Sequence, residues 1–343
     1  MTAPRPSPLT WAFLAGLLFA LASACGGGGI PSVPACLTGA TAAAPTPSPE
    51  ASLTLTTGSY EGKGSPQCIK GLGFDPAVVI IKGDAGEFAV WRSSSMEGDS
   101  TADFASGQAN IEKAITSLDD KAFSLGESAA VNAEGVTYYY IAFADSPEIK
   151  IGSYTGDATD GRTIDVGFRP ALVFLKWDGL RSAVWRSSTH PPGISSFFDG
   201  NEDQANFIRT FEADGFQVSA DPWVNHFDRP DVPTTYYYVA FREVPGQLVT
   251  GSYVGDGGES RDITGVGFQP DYIWVKRDSA ESKAVHRPGS LGGDATLRFE
   301  SVVNGTDEIK GFGQDGFRIG SAVSVNAEGD IYHYVVWRSS DGR

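Results

Sequence analysis

Three cysteines, two methionines and four histidines in 343 residues leave little material for a disulfide-stapled scaffold or a sulfur-ligated metal centre. Positive charge is also scarce: 26 Lys and Arg stand against 42 Asp and Glu, for a net charge of −16. A surface of that sign excludes nucleic acid as a partner and disfavours anionic lipid, since both need basic patches. No long stretch carries a helical period, which argues against a helical domain. The apolar run from Trp11 to Ala22 is too short to span a bilayer comfortably. Glycine, in contrast, is abundant at 42 residues, as a chain with many tight turns requires.

The sequence repeats itself. Gly58-Ser-Tyr-Glu-Gly leads to Gly71-Leu-Gly-Phe-Asp-Pro and the run Val78–Lys82. Gly152-Ser-Tyr-Thr-Gly leads to Val166-Gly-Phe-Arg-Pro and Leu172–Lys176, and Gly251-Ser-Tyr-Val-Gly to Gly265-Val-Gly-Phe-Gln-Pro and Tyr272–Lys276. A unit of roughly 95 residues is used three times, and such a repeat decides the architecture before any local reading. In each unit the Gly-Ser-Tyr stretch alternates like a half-buried strand. The proline marks a strand entry, because it cannot donate to a ladder and holds its predecessor extended. The β-branched and aromatic runs that follow read as central strands buried on both faces.

A second strand ends in Arg92, Arg186 or Arg287, and Phe104, Phe198 and Phe299 recur 13 residues beyond Trp91, Trp185 and His286. Each unit closes on an aromatic strand: Tyr138–Phe143, Tyr236–Phe241 and Tyr332–Trp337. The expected fold is all-β: three tandem β-sandwich, jelly-roll-like domains at 51–145, 148–243 and 247–339. The joins contain Pro147 and Pro245 and are a few residues long, so a semi-rigid row of three sandwiches is the simplest arrangement.

Residues 1–24 carry Arg5 followed by the apolar run, the pattern of an export signal. Its end, Leu21-Ala-Ser-Ala-Cys25, resembles the lipobox of bacterial lipoproteins, with Ala22 where Leu is usual. The resemblance implies cleavage before Cys25 and acylation of that residue; the alternative is an ordinary cleavage after Ala24. Two or three acyl chains hold a protein stably to a membrane where one does not. Residues 25–50 are rich in Gly, Pro, Ser, Ala and Thr without an aromatic, which reads as a disordered, flexible tether. The expected location is exported and membrane-anchored through the lipid, at the outer membrane or cell surface. A disulfide between Cys36 and Cys68 would pin the tether to the first domain.

The text from Gly265 to Arg277, with Asp315-Gly-Phe317, Val325-Asn-Ala-Glu-Gly329 and the closing Tyr332–Trp337 strand, resembles a domain of unknown function common in phage tail and virion proteins and in some bacterial secreted proteins. Repeat 1 departs at Lys121-Ala122, and repeat 2 lacks Asn-Ala-Glu-Gly. The resemblance implies a β-sandwich module of structural or binding use and says little about activity.

Candidate chemistry is sparse. Gly98-Asp-Ser-Thr101 is similar to the nucleophile block of one esterase class, but repeat 3 has Ala295 in place of Ser100 and no histidine follows at a triad-like position. Arg92, Arg186 and Arg287 are expected to pair with a carboxylate or stack on an aromatic, with a ligand clamp as the alternative. His190, His226, His286 and His333 show no metal-ligand spacing. Asp157, Asp160 and Asp256 lie in Asp/Gly turns that could bind Ca²⁺ or simply form turns; no other metal or cofactor is expected. Repeat 2 alone is longer, with 20 positions from Phe216 to Tyr236 against 15 from Phe123 to Tyr138 and from Phe317 to Tyr332. Trp223, His226, Phe227, Asp228 and Arg229 on that loop form a candidate recognition site, unless the loop packs against the neighbouring unit. These features favour a non-enzymatic binding or scaffolding protein for glycans, envelope polymers or proteins. A ligand-free assembly subunit and an envelope-polymer hydrolase are the alternatives.

Overall fold

In repeat 1 the expected strands form as β1 (Leu55–Glu61), β2 (Gln67–Lys70), β3 (Pro76–Gly83), β4 (Val90–Ser93), β5 (Ala102–Asp103), β6 (Ile115–Asp119), β7 (Ala122–Leu125) and β8 (Thr137–Ala144). A computed structural model describes residues 51–227, 234–278 and 282–340. The export signal, Cys25, Cys36 and the tether, along with Asp228 and Arg229, lie outside them. Residues Pro49–Arg343 belong to one compact unit. All strand pairs are antiparallel, and each repeat holds two sheets. The larger runs β1-β8-β3-β4-β5 in repeat 1, and the smaller β2-β7-β6. Repeats 2 and 3 have the same order, each with one further short strand on the large sheet. The chain is thus all-β with sandwich-like sheets, as expected. Among the described residues two single-turn helices interrupt the strands, Ala129–Asn132 and Val323–Asn326.

Local sequence explains the strand geometry. The ladder shifts register between Pro76 and Val78, and between Pro170 and Leu172, where proline offers no N–H. The glycine of each Gly-Ser-Tyr is required by the ring across from it: a Cβ on Gly152 would stand 2.6 Å from the Tyr238 hydroxyl, and Tyr140 and Tyr334 crowd Gly58 and Gly251 in the same way.

The apolar runs are buried on both faces for two different reasons. On β3, Val79 and Ile81 face the small sheet of their own sandwich, together with Phe123, Leu125 and Tyr138. Val78 and Ile80 face away from it, into a core shared by all three repeats. That core holds Trp91, Phe104 and Phe143 of repeat 1 and their counterparts Trp185, Phe198 and Phe241 of repeat 2; in repeat 3 Phe299 and Trp337 keep their places, and Trp274, on the strand beside His286, supplies the indole. Its centre is a triangle of phenylalanines, with ring centroids 4.6 Å apart for Phe104–Phe198, 4.7 Å for Phe198–Phe299 and 4.9 Å for Phe104–Phe299. The repeats therefore close into a ring of approximate threefold symmetry. The expected row is not formed, because the outer face of each large sheet is apolar and only the other two repeats can cover it.

Polar groups close the same ring. Ala183 N–H donates to Phe104 O at 2.9 Å, Ala89 N–H to Phe299 O at 2.8 Å and Ala284 N–H to Phe198 O at 3.3 Å. The lysine that ends each apolar run is buried and crosses the joint. Lys176 Nζ donates to Gln108 O at 2.8 Å, Lys276 Nζ to Asn201 O at 3.1 Å and Lys82 Nζ to Val302 O at 3.2 Å. Burial lowers the Lys82 ammonium to about 8 despite nearby Glu87 and Asp84. Near the chain's described ends, Leu53 N–H donates to Gln247 Oε1 at 2.9 Å, and Ser339 Oγ to Leu55 O at 2.9 Å.

Candidate functional site

The recurring arginines are buried and serve the backbone. Arg92 donates to Ser100 O, to Gly98 O at 2.6 Å and to Met96 O at 3.2 Å. Arg287 holds Ala295 O, and Leu291 O and Gly293 O at 2.8 Å each. Arg186 binds Ile194 O, Pro191 O at 2.8 Å and His190 O at 3.3 Å, with its guanidinium 5.7 Å from the Phe211 ring centroid. Each arginine thus fixes the loop after its own strand through carbonyls, and the expected carboxylate partner is absent among the described residues. Burial lowers Arg186 to about 10, yet it stays charged at neutral pH. Ser100, from the esterase-like block, accepts from Asn110 Nδ2 at 3.0 Å.

The turn aspartates are likewise engaged. Asp157 accepts from Thr159 N and Asn225 Nδ2 and lies 3.3 Å from Arg162; Asp256 accepts from Gly258 N and Asn326 Nδ2. Asp160 pairs with Arg209 at 2.6 Å. Burial raises the Asp157 carboxyl, but the Thr159 and Asn225 bonds and Arg162 together outweigh it and leave it below the usual range, while the Gly258 and Asn326 bonds lower Asp256. Cys68 is exposed on β2, opposite Ser124.

The longer loop of repeat 2 divides into a structural part and a new part. Asn225 takes the place of Asn132 and Asn326: its amide spans Asp157 and Thr159 O, as Asn326 spans Asp256 and Gly258 O. His226 N–H donates to Tyr236 Oη, as Ala133 N–H does to Tyr138 and Ala327 N–H to Tyr332. The Asn turn is therefore present in all three repeats, and the extra residues follow His226. Sequence alignment missed this because only Val-Asn remains of the Asn-Ala-Glu-Gly text. Burial raises Tyr236 to about 12, its hydroxyl accepting from His226 N–H and donating to Pro222 O at 2.8 Å.

Trp223, where repeat 1 has Ala130 and repeat 3 Ser324, packs on its own repeat and not on a neighbour. Its ring meets Phe197 edge-on at 4.8 Å and Phe207 at 6.1 Å, and Arg181 lies 5.0 Å over it and 5.8 Å over Trp177. Two hollows flank this cluster. One, of about 110 Å³, lies among Trp177, Arg181, Pro222, His226 and Tyr236. The other is an open groove of about 510 Å³ that Trp223, Asn201, Glu202, Gln204 and Asp221 line over Phe197 and Phe207. Phe227 is exposed, its ring parallel to that of His226 at 5.7 Å. A further cleft of about 530 Å³ between repeats 1 and 3 is walled by glycines, threonines, Phe74 and Phe312, and its Asp271 carboxylate is taken by Ser339 N–H at 2.7 Å.

Behind the groove wall, at the joint of repeats 2 and 3, the fold gathers His190, Asp203 and His333, with one potential ligand atom from each within 4.8 Å of the others. The two imidazoles stack at 4.0 Å and 15°. His190 accepts from Ser187 N–H through Nδ1 at 3.1 Å and meets Ser196 Oγ through Nε2 at 2.8 Å. His333 Nδ1 is 3.3 Å from Thr189 Oγ1, its Nε2 has no hydrogen-bond partner, and neither Asp203 oxygen accepts a bond of normal geometry. Burial pushes the Asp203 carboxyl up to about 7, tempered by the nearby Ser196 hydroxyl and the Lys276 charge. Burial and Arg186 lower His333 to about 4, and burial keeps His190 neutral. Sequence spacing could not reveal this cluster, since its members come from two repeats.

The domain family described as Domain of unknown function (DUF7483) matches residues 59–189 and 247–343, well over half of the chain, and the protein belongs to that family. Among curated proteins, none matches the chain. The segment between the two matched stretches, 190–246, contains His190, Asp203 and Trp223.

Proposed function

We propose that this protein is a non-enzymatic recognition head, anchored by a lipid on Cys25 to the outer membrane or cell surface, that binds glycans, envelope polymers or proteins. The observation that carries the reading is the groove at Trp223. The charged side chains repeated in every unit are turned inward to bind carbonyls, whereas the groove of repeat 2 sets Trp223 beside Asn201, Glu202, Gln204 and Asp221 at an open surface. Such a mixture, a rigid apolar floor with convergent polar groups, suits a polyhydroxylated ligand. The acidic groove and acidic chain favour neutral or cationic ligands over anionic ones.

The test is a binding screen of the protein, displayed multivalently to allow for avidity, against glycans and purified envelope fractions. Saturable binding that Trp223→Ala and Glu202→Gln weaken supports the reading. No binding by the multivalent protein overturns it and leaves a ligand-free assembly role, whose mark is concentration-dependent oligomers.

A further inference from the structure

We propose that the joint between repeats 2 and 3 binds one divalent transition-metal ion, of the zinc class, through His190, Asp203 and His333. The other two joints of the same molecule serve as the control. At the joint of repeats 1 and 2 the equivalent residues are Met96, Asn110 and Tyr237; at that of repeats 3 and 1 they are Leu291, Asn304 and Tyr139. The equivalence is geometric as well as textual. Arg92, Arg186 and Arg287 bind the carbonyls of Met96, His190 and Leu291 in turn, and each lies close to Tyr237, His333 or Tyr139 across the joint. Asn110 N–H donates to Asp178 O as Asp203 N–H does to Asp278 O. Three positions held elsewhere by residues that rarely bind such metals are all changed, at one joint, into good ligands of borderline metals.

The cluster also has unmet demands. A buried carboxylate with no hydrogen bond of normal geometry, helped only by the nearby Ser196 hydroxyl, and a buried imidazole nitrogen without a hydrogen-bond partner are costly unless a proton or a cation satisfies them. Two imidazoles and a carboxylate form a known zinc donor set, with the fourth position open. Asp278, whose Oδ2 is 4.0 Å from His333 Nε2, stands where a fourth oxygen ligand or an outer carboxylate would be. The surrounding cations are Arg186 and Lys276; Lys276 is directed to the carbonyls of Asn201 and Arg277 at 3.1 Å each, and Asp203 and Asp278 offset its charge. A metal cannot lie in the planes of two parallel rings, so binding requires one to swing. His333 is the ring free to do so, held through Nδ1 by a single 3.3 Å contact. His190 would keep its place but change tautomer: Nε2 gives up Ser196 Oγ to ligate, and the ring proton moves to Nδ1, which then donates to Ser187 Oγ at 2.8 Å in place of accepting from Ser187 N–H. Asp203 lies between Glu202 and Gln204 of the groove wall, so the ion would also fix that wall.

The test uses the full chain, purified in detergent without an affinity tag and with thiols alkylated. Zn²⁺ binding is read by calorimetry, and Co²⁺ binding by its visible ligand-field bands. The comparison is the triple variant His190→Met, Asp203→Asn, His333→Tyr, which installs the residues of the first joint. The wild type is expected to take up one ion per chain with a nitrogen and oxygen ligand-field spectrum, and to melt higher with Zn²⁺. The triple variant is expected to lose these, and Asp203→Asn alone to weaken binding by at least about 10-fold, the least that losing even an outer partner of a metal ligand costs. Asp203→Asn is the safeguard if the triple variant does not fold, since asparagine occupies this position at both other joints. No uptake by the wild type, or unchanged uptake in folded variants, overturns the proposal.

Discussion

Where Arg92 faces repeat 2, its neighbours are Met96, Tyr237 and Asn110; where Arg186 faces repeat 3, they are His190, His333 and Asp203. The two joints share the phenylalanine triangle, the buried lysine and the arginine-held loop. They differ in what the remaining space demands. The first holds a thioether, a phenol and an amide, none of them a buried carboxylate or imidazole, although Asn110 Oδ1 also lacks a hydrogen-bond partner. The second buries ionisable groups that lack partners, which costs stability unless something fills the site. Symmetry within one chain thus separates what the fold needs from what it has acquired: the common residues build the ring, and the departures cluster around repeat 2, on both sides of the Asp199–Ala205 segment.

The lysines sharpen this comparison most. Lys176 lies 3.5 Å from Asp103, both fully buried, whereas among the described residues Lys82 forms no ion pair and donates to the carbonyls of Glu87 and Val302. Lys176→Ala should cost about 3–5 kcal/mol, because it strands a buried carboxylate. Lys82→Ala should cost less, about 1–3 kcal/mol, for carbonyls left unsatisfied. Urea midpoints at constant slope would measure both, and equal costs would show that the ion pair does not distinguish the joints.

A smaller effect is expected in acid. His286 replaces the axial tryptophan of the other repeats, and burial, with Lys82 nearby, holds its pKa well below the ordinary value. At neutral pH both folded and unfolded states carry it uncharged. As pH falls below the unfolded value, about 6.5, only the unfolded state gains the proton, so stability declines, by at most ~1.4 kcal/mol per pH unit for this one group. His286→Gln keeps an acceptor for the Tyr272 hydroxyl, 3.0 Å from Nδ1, and should flatten the decline. Unchanged acid sensitivity in stability measured from pH 7 to 4.5 would contradict this. The smallest effect belongs to the rim: Ser188→Ala, which removes an exposed hydrogen bond to Thr250, should change stability by no more than about 0.5 kcal/mol by thermal melting.

Much of the fold was legible because the repeat sets its own punctuation. Pro76 and Pro170 mark strand entries, and the runs after them are buried on both faces, as their composition implies. What covers the second face was not legible. Val78 and Val79 look alike in sequence, yet one faces the shared core and the other its own sandwich. The lysine ending each run gives no sign in sequence of what receives its ammonium, and only the ring supplies the carbonyls across the joint. Of the loop residues, Trp223 does line a groove and His226 lines the smaller hollow, its backbone N–H serving the turn common to all repeats. The histidine cluster escaped because a search by spacing presumes that ligands share one segment.

The claim that carries the rest is that the three repeats form one closed unit around the phenylalanine triangle. Hydrogen exchange followed peptide by peptide in wild type and Phe198→Ala tests it most directly. The substitution should cost about 3–5 kcal/mol, and protection should fall in the large sheets of all three repeats together. If protection fell in repeat 2 alone, with the strands of repeats 1 and 3 exchanging as in wild type, the repeats would be independent sandwiches and the ring would not be the stabilising feature.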